Sequence, residues 1–409
     1  MGRRAPLIAL ALATIASIGG TRLSAIAIPW LVLTTTGDPI LTGAVGFAEM
    51  LPYVLAKALG GPLIDRIGAR RIAIWCDMLS MLAIAVIPVL FWLGLLSIWV
   101  LMPAVALVGV LRAPSDAAKQ ALVPAIARLV EVPLERVTGV IGASDRLAGT
   151  LGAAGAGVLI ALIGPAPALL ANAVAFCVSA VIVGLGVPAQ AAAEADDAKA
   201  VETYGVQFAA GWAALRQDPV LVWLVVMIAF TNLFDQAYAT LLLPVWVRES
   251  GLDVSWVGIL LAVFSGAAIA GASLAAAVAE RVPRLVIYVV GFICAGPVAH
   301  VTLALNAPLE AIIPILVLSG FAAGFLNPII GAILFERIAP ALVGRVIALV
   351  GALAWALMPF GGLYGGVLVE WGGVYLALGL TGAFYMVATL SPALIPSFRQ
   401  MNRKPIAAE

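Results

Sequence analysis

Three ionisable side chains, Arg22, Glu49 and Asp235, stand near the middle of long apolar runs. A charge at the centre of a membrane helix costs about 2.5–3.5 kcal/mol on insertion scales, so such residues mark ion pathways, proton relays or substrate contacts. Asp235 lies in the densest polar cluster of the apolar sequence, with Thr231, Asn232, Gln236 and Tyr238. Spacings of four and three put Thr231, Asp235 and Tyr238 on one helical face. This cluster reads as the lining of a cavity, with polar packing between helices as the alternative. Asp235 has no equally deep basic neighbour on its own helix. A lone carboxylate in an apolar medium is costly when charged, so it can take up and release a proton. Asp235 is therefore the first candidate for proton coupling, and Glu49 the second.

Arg22 and Glu49 fall at similar depth on consecutive helices and are expected to pair. Glu49, Tyr53 and Lys57 recur at steps of four and form one stripe, facing the cavity or closing a local ion pair. Lys57, Arg112, Asp116, Asp145 and Arg146 lie nearer the cytoplasmic side, and Asp77 near the start of the third helix. Thr14, Ser17, Thr21 and Ser24 make a hydroxyl stripe that either lines the cavity or packs between helices. The single histidine, His300, reads as a packed or hydrogen-bonded residue, and Cys76, Cys177 and Cys294 as small buried ones. No metal site, cofactor, nucleotide-binding loop or nucleophile–base constellation is recognised, so an enzyme is not expected.

The elements that must position these groups are membrane helices. Of 409 residues 64% are hydrophobic and 11% charged, against about 25% charged in soluble domains. A soluble chain of this balance could not cover its surface. The net charge of +1 predicts no nucleic-acid partner. Runs of about 20 apolar residues give twelve segments. They are 7–33, 40–63, 71–93, 97–122, 138–163, 166–187, 218–247, 254–279, 284–305, 309–335, 342–369 and 372–396. The first is too long for a secretory leader and reads as a retained helix. The domains are a six-helix bundle over 1–187, a cytoplasmic linker over 188–217 with a short amphipathic helix, and a second bundle over 218–409.

With the N-terminus inside, seventeen Lys and Arg residues fall on the inner side, Lys119 and Arg337 among them, against one, Arg248, on the outer. That bias places both termini in the cytoplasm. Trp92, Trp99, Trp246, Trp256 and Trp371 fall at outer helix ends and read as interface anchors. Weak echoes at a spacing of about 210 residues, such as Leu63–Arg66 with Val278–Arg281 and Arg136-Val137 with Arg345-Val346, suggest two parallel halves.

The stretch Gly61-Pro62-Leu63-Ile64-Asp65-Arg66-Ile67-Gly68-Ala69-Arg70-Arg71 joins the second and third segments. It resembles the signature loop of the major facilitator superfamily. The resemblance implies that Gly61, Asp65, Arg66, Gly68, Arg70 and Arg71 form a latch between the two halves, with Asp65 at the start of the eleventh helix near Gly344. Arg112-Ala113-Pro114-Ser115-Asp116 and Ala121-Leu122-Val123-Pro124 look like the macrolide-efflux and enterobactin-exporter branch. There Arg112 stands where drug–proton antiporters carry a buried arginine. Leu151–Gly157 is similar to the antiporter motif of the fifth helix, but Ala153 replaces its proline and Ala156 one glycine. Small residues there still permit close helix contact.

The expected fold is an all-α membrane protein of twelve helices in two six-helix bundles, the major facilitator arrangement. The resemblance implies export of hydrophobic or amphiphilic, drug-like molecules by proton antiport with alternating access. Arg22, Tyr53, Arg112, Thr231, Asn232, Gln236 and Tyr238 are the cavity candidates. The expected partners are the lipid bilayer, protons and a small-molecule substrate, for a monomer in a bacterial inner membrane. The rivals are a carrier of another solute, such as a siderophore, lysophospholipid or metabolite, an uncoupled facilitator, and a non-transporting sensor or scaffold.

Overall fold

Apolar runs too long for any soluble core form helices because lipid supplies no partner for a free backbone N–H or C=O. A computed structural model describes residues 4–189, 204–278, 284–338 and 342–398, and among these all the regular structure is helical. Eleven stretches of the described residues are long and apolar enough to cross a membrane. One of them, Leu349–Leu394, is 46 residues long, more than twice the ~20 needed. It holds two crossings, because the helical run Phe360–Leu394 is broken at Gly373 (φ 77°, ψ 169°). A side chain is strained at that φ, so glycine sets the reversal. The twelve expected segments are thereby accounted for.

The first compact unit comprises Met1–Ala200 with Val247–Ala262. Its helices are α1 (Ala5–Thr36), α2 (Pro39–Leu59), the short α3 (Gly61–Ile67), α4 (Ala69–Trp92), α5 (Ile98–Ala121), α6 (Val123–Val130), α7 (Leu134–Ile163) and α8 (Pro165–Gly186). α1 packs on α7 and α8, α2 on α5, and α4 on α5 and α8. Leu10, Ala73, Leu122, Ile126, Val137 and Val183 centre its core. The motif stretch is thus mostly helical, and Gly68 (φ 92°) makes the corner into α4. Arg70 donates from Nε to Val187 O at 2.7 Å and from its Nη2 to Gly184 O at 2.5 Å. A cation there complements the carbonyl end of α8. Arg66 and Arg71 are exposed. The side chain of Asp65, which the latch expectation needs, lies outside the described ones, so the latch stays an expectation.

The second unit comprises Val201–Trp246 with Val263–Glu409. α9 (Tyr204–Gln217) falls where the amphipathic linker helix is expected, while 190–203 lie outside the described residues. α10 (Pro219–Ala237) runs through a π-helical turn (Tyr238–Leu242) into α11 (Leu243–Glu249). There follow α12 (Ser255–Val278, whose first part belongs to the other unit), α13 (Arg284–Ala295), α14 (Pro297–Ala304), α15 (Leu309–Arg337), α16 (Val343–Trp355) and α17 (Phe360–Leu394). α10 packs on α16 and α17, α13 on α15, and α14 on α17. Leu224, Phe234, Tyr288, Ile333, Val346 and Tyr385 lie in its core.

Two surface expectations are corrected. Trp246 is 2% exposed and belongs to the protein interior, whereas Trp92, Trp99 and Trp371 are 57%, 81% and 74% exposed, as interface anchors need. Lys119 is 5% exposed and is not a loop cation.

Candidate functional site

In the first unit the chemistry gathers where α2 meets α5. Gly109 of α5 lies directly on the Glu49 carbonyl, and a Cβ there would overlap it. That close approach brings two polar stripes face to face. Arg112 donates from Nη1 to Glu49 Oε1 at 2.7 Å. One turn on, the Tyr53 hydroxyl donates to Asp116 Oδ2 at 3.1 Å. The Arg112 guanidinium lies 4.3 Å from the centre of the Tyr53 ring, and Lys57 Nζ lies 5.7 Å from it on the same helix as Tyr53. A guanidinium over an aromatic face gains a cation–π contact as well as its ion pair.

α5 continues this face by three, four and seven residues, from Arg112 to Ser115, Asp116 and Lys119. Asp77 of α4 is wholly buried and meets three of its neighbours. Ser115 Oγ donates to Oδ1 at 2.5 Å, and Ser179 Oγ of α8 donates to Oδ2 at 2.6 Å. Lys119 Nζ stands 2.8 Å from Oδ2 as an ion pair, although its angle is not that of an aligned hydrogen bond. This cluster escaped the sequence reading, which placed Lys119 at the inner surface. The spacing of 112, 115, 116 and 119 was the available signal.

The expected pairing of Arg22 with Glu49 does not form. Arg22 is exposed on the face of α1 that meets Gly149 and Gly152 of α7. Glu49 faces α5, so similar depth did not mean adjacency. The hydroxyl stripe of α1 packs: Thr14 and Thr21 bond carbonyls of their own helix, and Asn172 of α8 donates to Ser24. On α7, Gly157 touches Gly258 of α12 closely, so the small-residue run does bring helices together.

In the second unit the polar cluster of α10 divides. Asp235 is exposed and accepts a hydrogen bond from the Tyr385 hydroxyl of α17 at 3.0 Å. Among the described residues no cation pairs with it. Thr231 is 1% exposed and bonds the Ile228 carbonyl at 3.1 Å. Asn232 donates to Ala354 O of α16 at 2.9 Å, and Gln236 packs against Gly361 of α17. Thr231 thus bonds within its own helix and Asn232 bridges to α16. Tyr238 opens the π turn and lays its ring 4.9 Å from that of His300 on α14. A single π turn within an α-helix is frequent at functional sites.

At one end of this unit, Arg337 donates to Asp218 at 2.5 and 3.1 Å and Arg284 to Glu336 at 2.5 and 2.8 Å. A cavity of about 370 Å³ opens beside Asp218 and Arg337. It lies among α9, α10, α15 and α16, apart from the Asp235 cluster. Among the described residues no group of three or more His, Cys, Asp or Glu could hold a metal.

The family model described as Major Facilitator Superfamily matches residues 10–308 and 226–406. The chain is 28% identical over 418 residues to the multidrug efflux pump Tap of Mycobacterium tuberculosis, covering 99% of this chain and 96% of that one. It is 26% identical over 408 residues to the multidrug efflux pump Tap of Mycolicibacterium fortuitum, covering 98% of each. Among solved structures it resembles the nucleoside transporter NupG (TM-score 0.73, 13% identity, 98% of this chain and 100% of that one). It also resembles a bacterial homolog of the human lysosomal transporter Spinster (TM-score 0.72, 14% identity, 99% of each). At these identities the structures speak to the fold alone.

Proposed function

We propose that this chain, which belongs to the Major Facilitator Superfamily, exports hydrophobic or amphiphilic drug-like molecules by proton antiport with alternating access. Near full-length similarity to pumps named for multidrug efflux supports the substrate class and direction. The observation that carries the coupling is the contrast between two carboxylates. Glu49 is held by Arg112 in an ion pair at 2.7 Å. Asp235 is exposed and has the neutral Tyr385 hydroxyl as its partner. A carboxylate so placed has no cation to displace and can exchange its proton with water. An inward proton gains about 2.3 kcal/mol per 100 mV of membrane potential. Asp235 alternately open to each side would couple that energy to outward movement of the solute. The protein would sit in a bacterial inner membrane with both termini cytoplasmic, as the distribution of its basic residues supports.

The test is flux. Purified protein in liposomes is given a pH gradient and the fluorescent, amphiphilic amine doxorubicin. Wild-type movement should follow the gradient, Asp235→Asn should abolish that dependence, and Glu49→Gln should keep it. Movement indifferent to the gradient and to both substitutions would make the protein an uncoupled facilitator. No movement of this or other solutes would favour a sensor or scaffold.

A further inference from the structure

His300 is 2% exposed and lies between two tyrosines, its ring 4.9 Å from that of Tyr238 and 5.7 Å from that of Tyr385. Its Nδ1 is 3.0 Å from the Gly296 carbonyl, which can only accept, so Nδ1 carries the hydrogen. In the neutral ring Nε2 is then an acceptor. It is buried and has no hydrogen-bond partner among the described residues. The hydroxyl of Tyr238, also buried, lacks a partner among the described residues too. A donor and an acceptor left unpaired on touching rings are costly.

The surroundings are shaped for these rings. Gly296 lies against the Tyr385 ring, where any Cβ would overlap it, and Gly382 of α17 stands against the His300 Cβ. The π turn begins at Tyr238 and changes the helical register on the C-terminal side of Asp235. Asp235 itself, three residues before Tyr238 on the same face, is exposed. Tyr385 joins the two places, donating to Asp235 and packing its ring on His300.

We propose that Tyr238 and His300 form a binding station for one hydroxyl group, which accepts from the Tyr238 O–H and donates to His300 Nε2. A hydroxyl fits both demands at once, because its oxygen both accepts and donates. An ammonium donates to both groups but leaves the Tyr238 O–H without an acceptor, and a carbonyl cannot donate to His300. Two sources carry this chemistry, a hydroxyl of the transported solute and a trapped water. We favour the solute, because the station lies one turn from the exposed carboxylate; this choice of source rests on the export reading above, while the hydroxyl station does not. His300 would then set specificity for hydroxyl-bearing solutes, since a site built to bond a hydroxyl discriminates strongly against analogues without it.

The experiment is a double-mutant cycle on the full chain in detergent, with Tyr238→Phe, His300→Phe and the pair. It is read twice, as affinity for doxorubicin, which bears hydroxyls, and as the melting temperature of solute-free protein. The expected result is that each single variant weakens doxorubicin binding about tenfold while the pair is no weaker than the worse single. Non-additivity in the melting temperature alone upholds the station with water as its occupant. Additive effects in both readings overturn the proposal. If wild type does not bind doxorubicin, the melting cycle alone decides. Should His300→Phe fail to fold, His300→Met closes the same cycle, its flexible chain filling the space without a ring nitrogen. Non-additive binding together with no gradient-driven flux would uphold the station and sink the export reading.

Discussion

Glu49 on α2 and Arg112 on α5 form an ion pair at 2.7 Å, 63 residues apart in sequence. Tyr53 and Asp116, each four residues further along, are also 63 apart and bonded. Equal separations mean that the two helices run in the same direction and in register, like two rows of matching pegs. The register joins the stripe of α2 to a face of α5 that carries Arg112, Ser115, Asp116 and Lys119.

Breaking that pair from one side leaves a charge without its partner. Arg112→Met should lower stability by about 3 kcal/mol, because the surviving Glu49 carboxylate is nearly enclosed. Replacing both, as Glu49→Met with Arg112→Met, should recover most of the loss. Denaturation in mixed detergent micelles measures both, and a double variant as unstable as the single one would argue that the pair itself, and not its broken half, is what matters.

Asp77 should be less forgiving than either. It is fully buried and gathers Lys119, Ser115 and Ser179 from two other helices. Asp77→Leu should cost about 3–5 kcal/mol by stranding the Lys119 ammonium, and Ser179→Ala only about 1 kcal/mol, the net worth of one hydrogen bond. Thermal melts of the purified variants give the ranking; a Ser179→Ala variant as damaged as Asp77→Leu would contradict it.

Gly109 sets the spacing of α2 and α5. Gly109→Leu would drive a side chain into the Glu49 backbone, and overpacking of this kind costs about 1–3 kcal/mol or more. The Glu49–Arg112 pair should open with it, so Gly109→Leu and Arg112→Met should be clearly non-additive in the same melts.

Asp253, in the loop before α12, should give a small acid-dependent contribution to stability. The Ser255 backbone N–H, donated to its carboxylate at 2.9 Å, holds Asp253 below the usual aspartate range. A depressed value means that the stabilisation is present above the unfolded aspartate range and is lost as pH falls through the folded one. Wild type should therefore lose its advantage over Asp253→Ala between about pH 4 and lower values. The carboxylate is mostly in solvent, which keeps the effect to a fraction of a kcal/mol. Melting temperatures of the two proteins that fail to converge in acid would refute this contribution of the Asp253 carboxylate.

The membrane class, the twelve crossings and the family resemblance were legible in the sequence, because each rests on local quantities. Run length against bilayer thickness counts helices without any tertiary information. Asp235 could be picked out for the same reason, since five polar residues within eight positions of one apolar helix need no partner helix to be unusual. Depth along a helix was legible too, but direction around it was not. Arg22 and Glu49 share a depth, yet α1 presents Arg22 to α7 while α2 presents Glu49 to α5. Helices of similar composition on all sides, as α1 and α8 are, carry little rotational signal, because lipid and protein interior are alike apolar to a leucine. Only packing settled which face met which neighbour. It moved Lys119 from the surface to Asp77, buried Trp246, and set His300 between Tyr238 and Tyr385. What the amino-acid order decided by itself was how many helices cross and where along them the costly groups lie; which of those groups satisfy one another was decided by the approach of helices distant in sequence, down to a glycine that lets two backbones touch.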